Sequence, residues 1–352
     1  MIEVQTYTLA LSTPYRWSKG TQHKRLGLIL RLQRGSVTGW GEVALPPHVD
    51  YPVNAFAAEC RSLMAGLDPF AEDFLQEISM RECPARLRCG ISTAVLSLRA
   101  AEQGLSLAAY LLGPGVPVAA RVPVNELITD ADPERCAELA QRALALGQDT
   151  IKVKCTTARA LDLQRVAAIR AAAPNAHIRI DPNESWPLAW AADQLNAMAH
   201  FNIAYCEEPL PRDTPLAEYA TLRRQTTVPI ALDDSIRTVR DVQLVALLQA
   251  ADALVIKAQR VGGPDRLLEI VRVASSLGLP CTVTSSLETA LGLYLGVHCT
   301  AMTPQPMAAA GIGTAHFFAE NVGEPPPIRD GHMAVPTGVG LGFDPQAWWD
   351  RP

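Results

Sequence analysis

The chain has 352 residues, 48% of them hydrophobic and 19% charged, with a formal net charge of −5. Its length accommodates a (β/α) barrel plus a smaller domain, and its slightly acidic balance offers no basic field to nucleic acid or anionic lipid. The N-terminus lacks a basic leader and no run approaches a membrane-spanning length, so a cytoplasmic protein without a membrane partner is expected.

Residues 1–10 alternate as a strand. Residues 11–25 are polar, include Pro14 and Gly20, and read as a long loop. The stretch 14–25 is a candidate lid, with Tyr15 or Trp17 reaching a substrate, and equally a plain connection. Segments 26–33 and 37–44 form a hairpin across Arg34-Gly35-Ser36, ended by Pro46 and Pro47. Apolar spacing from about 54 to 112 is helical. A sheet followed by helices is an α+β domain, expected over 1–115, with the break at Gly113-Pro114-Gly115-Val116-Pro117.

Beyond that break strands and helices alternate. Strands are predicted at 121–127, 150–154, 177–181, 203–207, 229–233, 252–257, 280–285 and 306–310. Helices are predicted at 133–146, 157–173, 187–199, 214–225, 237–250, 263–277, 287–299 and 314–321. Eight such pairs over 116–324 make this an α/β chain with a barrel domain. The tail 325–352, with Trp348 and Trp349, is too short to fold alone and should pack back on the first domain. An open doubly wound sheet would carry a glycine-rich phosphate turn. Gly262-Gly263 and Gly311-x-Gly313 lack the G-x-G-x-x-G form. Eight scattered cysteines without a C-x-x-C pair read as reduced thiols; Cys155 and Cys206, beside charged strand ends, read as packing residues.

The chemistry concentrates at five strand ends, spaced 24 to 27 residues apart: Lys154, Asp181, Glu207, Asp233 and Lys257. In a parallel barrel these ends share one rim. Residues two apart share a strand face, so Lys152 joins Lys154 and Arg179 joins Asp181. Three converging carboxylates without His or Cys form a hard oxygen set for Mg²⁺, or Mn²⁺. Lys154 is poised as a general base if the like charge of Lys152 and partial burial lower its pKa. Lys257 faces it across the site. The chemistry this predicts is removal of a proton α to a carboxylate, on a small carboxylate substrate.

These motifs resemble the enolase superfamily, in the subgroup around muconate lactonizing enzyme. They are Lys152-x-Lys154, Asp181-Pro182-Asn183, Glu207-Glu208-Pro209, Asp233-Asp234-Ser235 and Lys257, with Gly39-Trp40-Gly41-Glu42 similar to its capping domain. The resemblance implies an enolase-like modified (β/α) barrel with an α+β capping domain, and Mg²⁺ on Asp181, Glu207 and Asp233. Pro182 and Asp234 depart from the usual pattern. Within the subgroup, Arg179, Ser285-Ser286-Leu287-Glu288 and Gly311-Ile312-Gly313-Thr314 are similar to segments of o-succinylbenzoate synthases. The Asp-x-Asp of dipeptide epimerases is missing near the eighth strand.

That likeness implies dehydration of 2-succinyl-6-hydroxy-2,4-cyclohexadiene-1-carboxylate, a step of menaquinone biosynthesis. Lys154 would act as base and then acid, and Lys257 as the cation beside the enediolate. Ser285, Ser286, Gly311 and Gly313 would hold the succinyl carboxylate, the Ser286, Gly311 and Gly313 region through backbone N–H groups. Arg179 supports the site or pairs with a strand-top carboxylate. The alternatives are a racemase or epimerase of dipeptides or N-acylamino acids using both lysines, and a non-catalytic binding protein. A homo-oligomer is compatible with the sequence.

Overall fold

Three antiparallel strands open the chain: β1 (Ile2–Trp17), β2 (Gly20–Arg34) and β3 (Val37–Ala44), in that order across the sheet. The computed structural model describes residues 2–17, 20–46 and 52–351. Four helices follow: α1 (Val53–Met64), α2 (Phe74–Met80), α3 (Ala85–Glu102) and α4 (Leu107–Leu112). The run Leu28–Leu30 is buried on both faces, which is why apolar residues there are continuous rather than alternating.

The segment read as a loop over 11–25 is mostly strand. β1 and β2 stay paired out to Trp17 and Gly20, with a register irregularity between Ala10 and Tyr15. Polar residues suffice because the partner strand supplies the backbone hydrogen bonds. Leu11 also bridges Phe318, and the Ser12 hydroxyl donates to the His316 carbonyl at 2.9 Å. The Trp17 side chain, predicted to reach the substrate, and Pro47 lie outside the described residues.

A short strand β4 (Arg121–Pro123) leads into a parallel sheet. Its members are β5 (Glu126–Ile128), β6 (Thr150–Lys154), β7 (His177–Asp181), β8 (Ile203–Glu207), β9 (Ile230–Leu232), β10 (Ala253–Ile256) and β11 (Cys281–Val283), each beside the next. The intervening helices are α5 (Pro133–Ala145), α6 (Arg159–Ala172), α7 (Leu188–Met198), α8 (Leu216–Gln225), α9 (Val239–Leu248), α10 (Ala258–Val261), α11 (Pro264–Ser276) and α12 (Ala290–Ala301). Local sequence starts several of them. Asp132 accepts from the Glu134 amide ahead of Pro133, Thr238 and Asp241 form a capping box, and Pro264 opens α11.

The eighth predicted strand, 306–310, is not a regular strand. Ala310 bridges Val124, and Gly311 bridges Thr284, so a two-residue stave joins the two edges of the sheet. Pro304 and Pro306, which lack N–H donors, limit this stretch to that pairing. The helix predicted at 314–321 is a single 3₁₀ turn, Ala315–Phe317, because the following backbone pairs with β1: Ala319 N–H donates to Ala10 O at 3.0 Å.

The tail forms a hairpin, β12 (Ile328–Arg329) and β13 (His332–Ala334), whose second strand pairs with β4, and a last turn α13 (Gln346–Trp349). Trp349 packs edge-on against Trp40 at 5.4 Å and beneath Arg31 at 4.9 Å. The tail thus returns to the N-terminal sheet.

Strand β3 lies tightly on α3. A Cβ on Gly41 would stand 2.0 Å from the Gly90 carbonyl oxygen, and one on Gly39 2.1 Å from that of Ala94. Both obstacles are backbone, so relief requires the helix to move. Gly41→Ala should therefore destabilise the protein by about 1–3 kcal/mol, seen as a lower urea midpoint; an unchanged midpoint would contradict this packing.

Candidate active site

Parallel register brings the five predicted residues to one end of the sheet. Lys152 stands opposite Arg179, and Lys154 opposite Asp181. Glu207 and Asp233 follow at the ends of β8 and β9, and Lys257 just past β10. Lys152 Nζ donates to both Glu207 oxygens, at 2.7 and 2.6 Å, and lies 2.8 Å from Asp181 Oδ2. Lys154 Nζ donates to the same Asp181 oxygen at 2.6 Å. Lys257 pairs with Asp233, and with Asp234 at 3.7 Å. The three strand-end carboxylates are buried, while the three lysines and Asp234 line a pocket above them.

The electrostatics correct one expectation. Burial alone favours the neutral amine of Lys154, and Lys152 pushes the same way. The Asp181 carboxylate, joined by Tyr15 and Glu207, outweighs both and raises the Lys154 pKa. Lys152 is raised well above its ordinary value for the same reason, its burial outweighed by Asp181 and Glu207. Burial would raise Asp181 too, but the two ammonium groups hold it well below the usual carboxylate range. The lysine pair thus acts as counter-charge to the carboxylates.

Could these residues hold a cation? Each carboxylate is turned towards a lysine, and among the described residues no three acidic, His or Cys side chains converge on one point. Yet Asp233 Oδ1 is buried without a hydrogen-bond partner. Glu207 is pushed up by burial and then by the charge of Asp181, with Asp233 adding to it. An orphaned carboxylate oxygen beside a carboxyl strained by its neighbours' charge is a donor set that fits a hard divalent ion.

Neighbouring residues fix these side chains. Glu208 accepts from the Asp233 amide at 2.6 Å and from Tyr219 at 3.0 Å, and is bonded by Ser235. Buried Arg165 donates to the Lys154 carbonyl at 2.8 Å. Arg179 makes no ion pair among the described residues; its guanidinium donates to the Ala309 carbonyl at 2.6 Å and sits over Tyr205. It braces the closing stave.

Ser285, Ser286, Gly311 and Gly313 line the pocket, but three of their amides are committed, that of Ser285 to the Gly311 carbonyl at 3.0 Å. Ser286 N–H donates to Glu288 at 2.7 Å and Gly311 N–H to the Val283 carbonyl at 2.9 Å.

Sequence reasoning missed Arg25 and Arg86, which reach the pocket from the N-terminal unit, and Arg212, Arg260 and Glu184. Only Arg260, three residues past Lys257 on α10, carried a local spacing cue. Arg25 is fully buried and donates to the Leu287 and Ser286 carbonyls, both at 2.9 Å. Glu42 accepts from the Thr289 and Gly292 amides, at 3.0 and 2.9 Å, at the start of α12. Tyr7 donates to the same carboxylate at 2.7 Å. The N-terminal unit thereby clamps the 285–289 loop.

The fold is a barrel with lysines and carboxylates gathered at its strand ends. Residues 135–348 match the family model described as Enolase C-terminal domain-like, and the chain belongs to that family, within the enolase superfamily. It is 34% identical over 252 residues to the o-succinylbenzoate synthase of Thermobifida fusca (strain YX), spanning 68% of this chain and 77% of that protein. It is 35% identical over 242 residues to the o-succinylbenzoate synthase of Mycobacterium marinum (strain ATCC BAA-535 / M), spanning 65% and 71%. Among solved structures it superposes on N-succinyl Arg/Lys racemase from Bacillus cereus ATCC 14579 with TM-score 0.90 and 21% identity, over 99% of this chain and 96% of that one. A dipeptide epimerase from Cytophaga hutchinsonii, complexed with Mg and the dipeptide D-Ala-L-Val, superposes with TM-score 0.87 and 23% identity, over 97% and 94%. The chain is an enzyme whose named sequence relatives are lyases and whose structural neighbours include isomerases. No helix of the described residues is long and apolar enough to cross a membrane.

Glu288 supplies a pH test of the clamp. Its carboxyl is pushed up to about 7 by burial, then by the charge of Glu42. As pH rises from the ordinary carboxylate range to 7, the unfolded chain loses this proton while the folded one keeps it, so stability falls over that window. Glu288→Gln removes the dependence. The variant should gain on the order of 2 kcal/mol relative to wild type between about pH 4.5 and 7, measured by urea unfolding; parallel pH profiles would falsify the assignment.

Proposed function

We propose that this enzyme is an o-succinylbenzoate synthase: a Mg²⁺-dependent dehydratase acting on 2-succinyl-6-hydroxy-2,4-cyclohexadiene-1-carboxylate, in menaquinone biosynthesis. The observation that carries the reading is the opening of Lys154 and Lys257 into one pocket directly above buried Asp181, Glu207 and Asp233. The relatives at 34–35% identity supply the particular reaction.

Asp181, Glu207 and Asp233 would hold the cation, which offsets the charge of the substrate carboxylate and makes its α-hydrogen more acidic. With its charge shared in this way, Asp181 would stabilise the Lys154 ammonium less, and the burial of Lys154 would favour the free amine. Lys154 removes the α-proton. The resulting ammonium returns a proton to the departing hydroxyl, so water leaves and the ring becomes aromatic. Lys257, kept protonated by Asp233 and Asp234 against its burial, supplies fixed positive charge where the enediolate develops. Lys152 holds Glu207, and Glu208 holds the Asp233 backbone.

A racemase or epimerase reading draws on the same two lysines, which pair with carboxylates on different strands and can serve opposite faces of an α-carbon. A Mg²⁺-dependent assay of the cyclohexadiene beside N-acylamino acids and dipeptides separates the two. Dehydration should dominate and stop on chelation. Lys154→Ala should cost about 10³-fold or more in kcat/KM, whereas Lys257→Ala keeps α-proton exchange on the dehydration substrate. If instead each lysine variant loses deuterium exchange from one enantiomer of an N-acylamino acid and the cyclohexadiene is untouched, the dehydratase reading falls.

A further inference from the structure

The pocket holds more positive charge than the proposed reaction's lysines account for. Most of that charge is neutralised on site. Arg212 pairs with Glu184 at 3.0 Å, and Arg260 with Asp234. Arg25 forms no ion pair among the described residues, but three of its donors are taken up by the 286 and 287 carbonyls and by Gln22 at 3.4 Å. Arg86 differs. Among the described residues it forms no ion pair, and its one hydrogen bond runs from Nη1 to the Ala44 carbonyl at 2.6 Å. It lines the same pocket as Lys257, Arg260 and Ser286.

Its placement is unfavourable on three counts. It is the second residue of α3, whose first turn contains no acid, so the helix dipole opposes its charge. Burial, followed by the like charges of Arg260 and Arg25, pulls its pKa down to about 10. Two further polar atoms of the pocket residues, Ser286 Oγ and Arg260 Nε, are buried without a partner. A cation so placed, with open polar atoms on residues of the same pocket, is what a site for a second anionic group requires. The amides of Ser286 and Gly311 cannot fill that role, since both are spent inside the protein.

We infer that Arg86 is the specificity residue for a second carboxylate of the substrate, with Ser286 Oγ as its companion donor, so that the pocket selects dicarboxylates over monocarboxylates. This rests on the reading of the site as a carboxylate-processing one and adds the distal recognition group. Arg86 acts by binding and takes no part in proton transfer.

The test is calorimetric binding of succinate and butyrate to the full chain with Mg²⁺ present, in wild type, Arg86→Gln and Arg86→Lys. Wild type should bind succinate and not butyrate. Arg86→Gln should weaken succinate about tenfold or more while its thermal midpoint holds or rises, since an uncompensated charge has been removed. A purely structural Arg86, tethering Ala44, would lower the midpoint and leave succinate affinity as it was. Should the Gln variant fail to fold, Arg86→Lys decides. It keeps the charge but loses the planar fork, so several-fold weaker succinate binding is expected. Wild-type affinity in that variant, or equal binding of both acids by wild type, overturns the inference. Selective, Arg86-dependent succinate binding without any turnover of the cyclohexadiene would leave this subsite standing and remove the proposed reaction.

Discussion

Everything at the barrel rim follows from the cost of burying like charges together. Asp181, Glu207 and Asp233 arrive at adjacent strand ends because the parallel register allows no other placement. Each needs a counter-charge, and Lys152, Lys154 and Lys257 provide it at hydrogen-bond distance. The site is therefore an electrostatic balance of three carboxylates against three lysines. The proton affinity of Lys154 is set above all by Asp181, whose charge outweighs the effect of burial.

The N-terminal unit is part of this balance rather than a cover over it. Glu42 caps the start of α12, Arg25 ties down two carbonyls of the preceding loop, and Gln259 reaches back to the Glu42 carbonyl at 2.8 Å. Arg88 adds a two-pronged pair with Asp265 at 3.0 and 2.6 Å. The Glu42, Arg25 and Gln259 bonds satisfy backbone groups that would otherwise be orphaned, and those of Glu42 and Arg25 are charge-assisted. They also explain how Arg86 can be held in a position it would not occupy on its own: α3 is locked on β3 by the Gly39 and Gly41 contacts.

Much of this was legible in the residues. Strands at 150–154, 177–181 and 203–207 are apolar runs ended by a charge, and the structure has them at the same bounds. The eighth stave was not legible as it stands, since two bridges at Ala310 and Gly311 leave no periodic signal. The hairpin at 11–25 was misread because its polar residues lack strand character, and the pairing that orders them is supplied by β2 and by Phe318. Arg25 lies at the end of the candidate lid 14–25 but carried no cue of its own, and nothing within a few residues of Arg86 marks an active site.

What the sequence determined by itself was the rhythm of the barrel and the identity of the charges at its strand ends, because period and spacing are properties of the chain alone. The tertiary structure decided which charge answers which. That choice depends on register, burial and the approach of a separate unit, and so it reversed the expected shift at Lys154, committed the Ser286 and Gly311 amides, and left Arg86 paired, among the described residues, only to a backbone carbonyl.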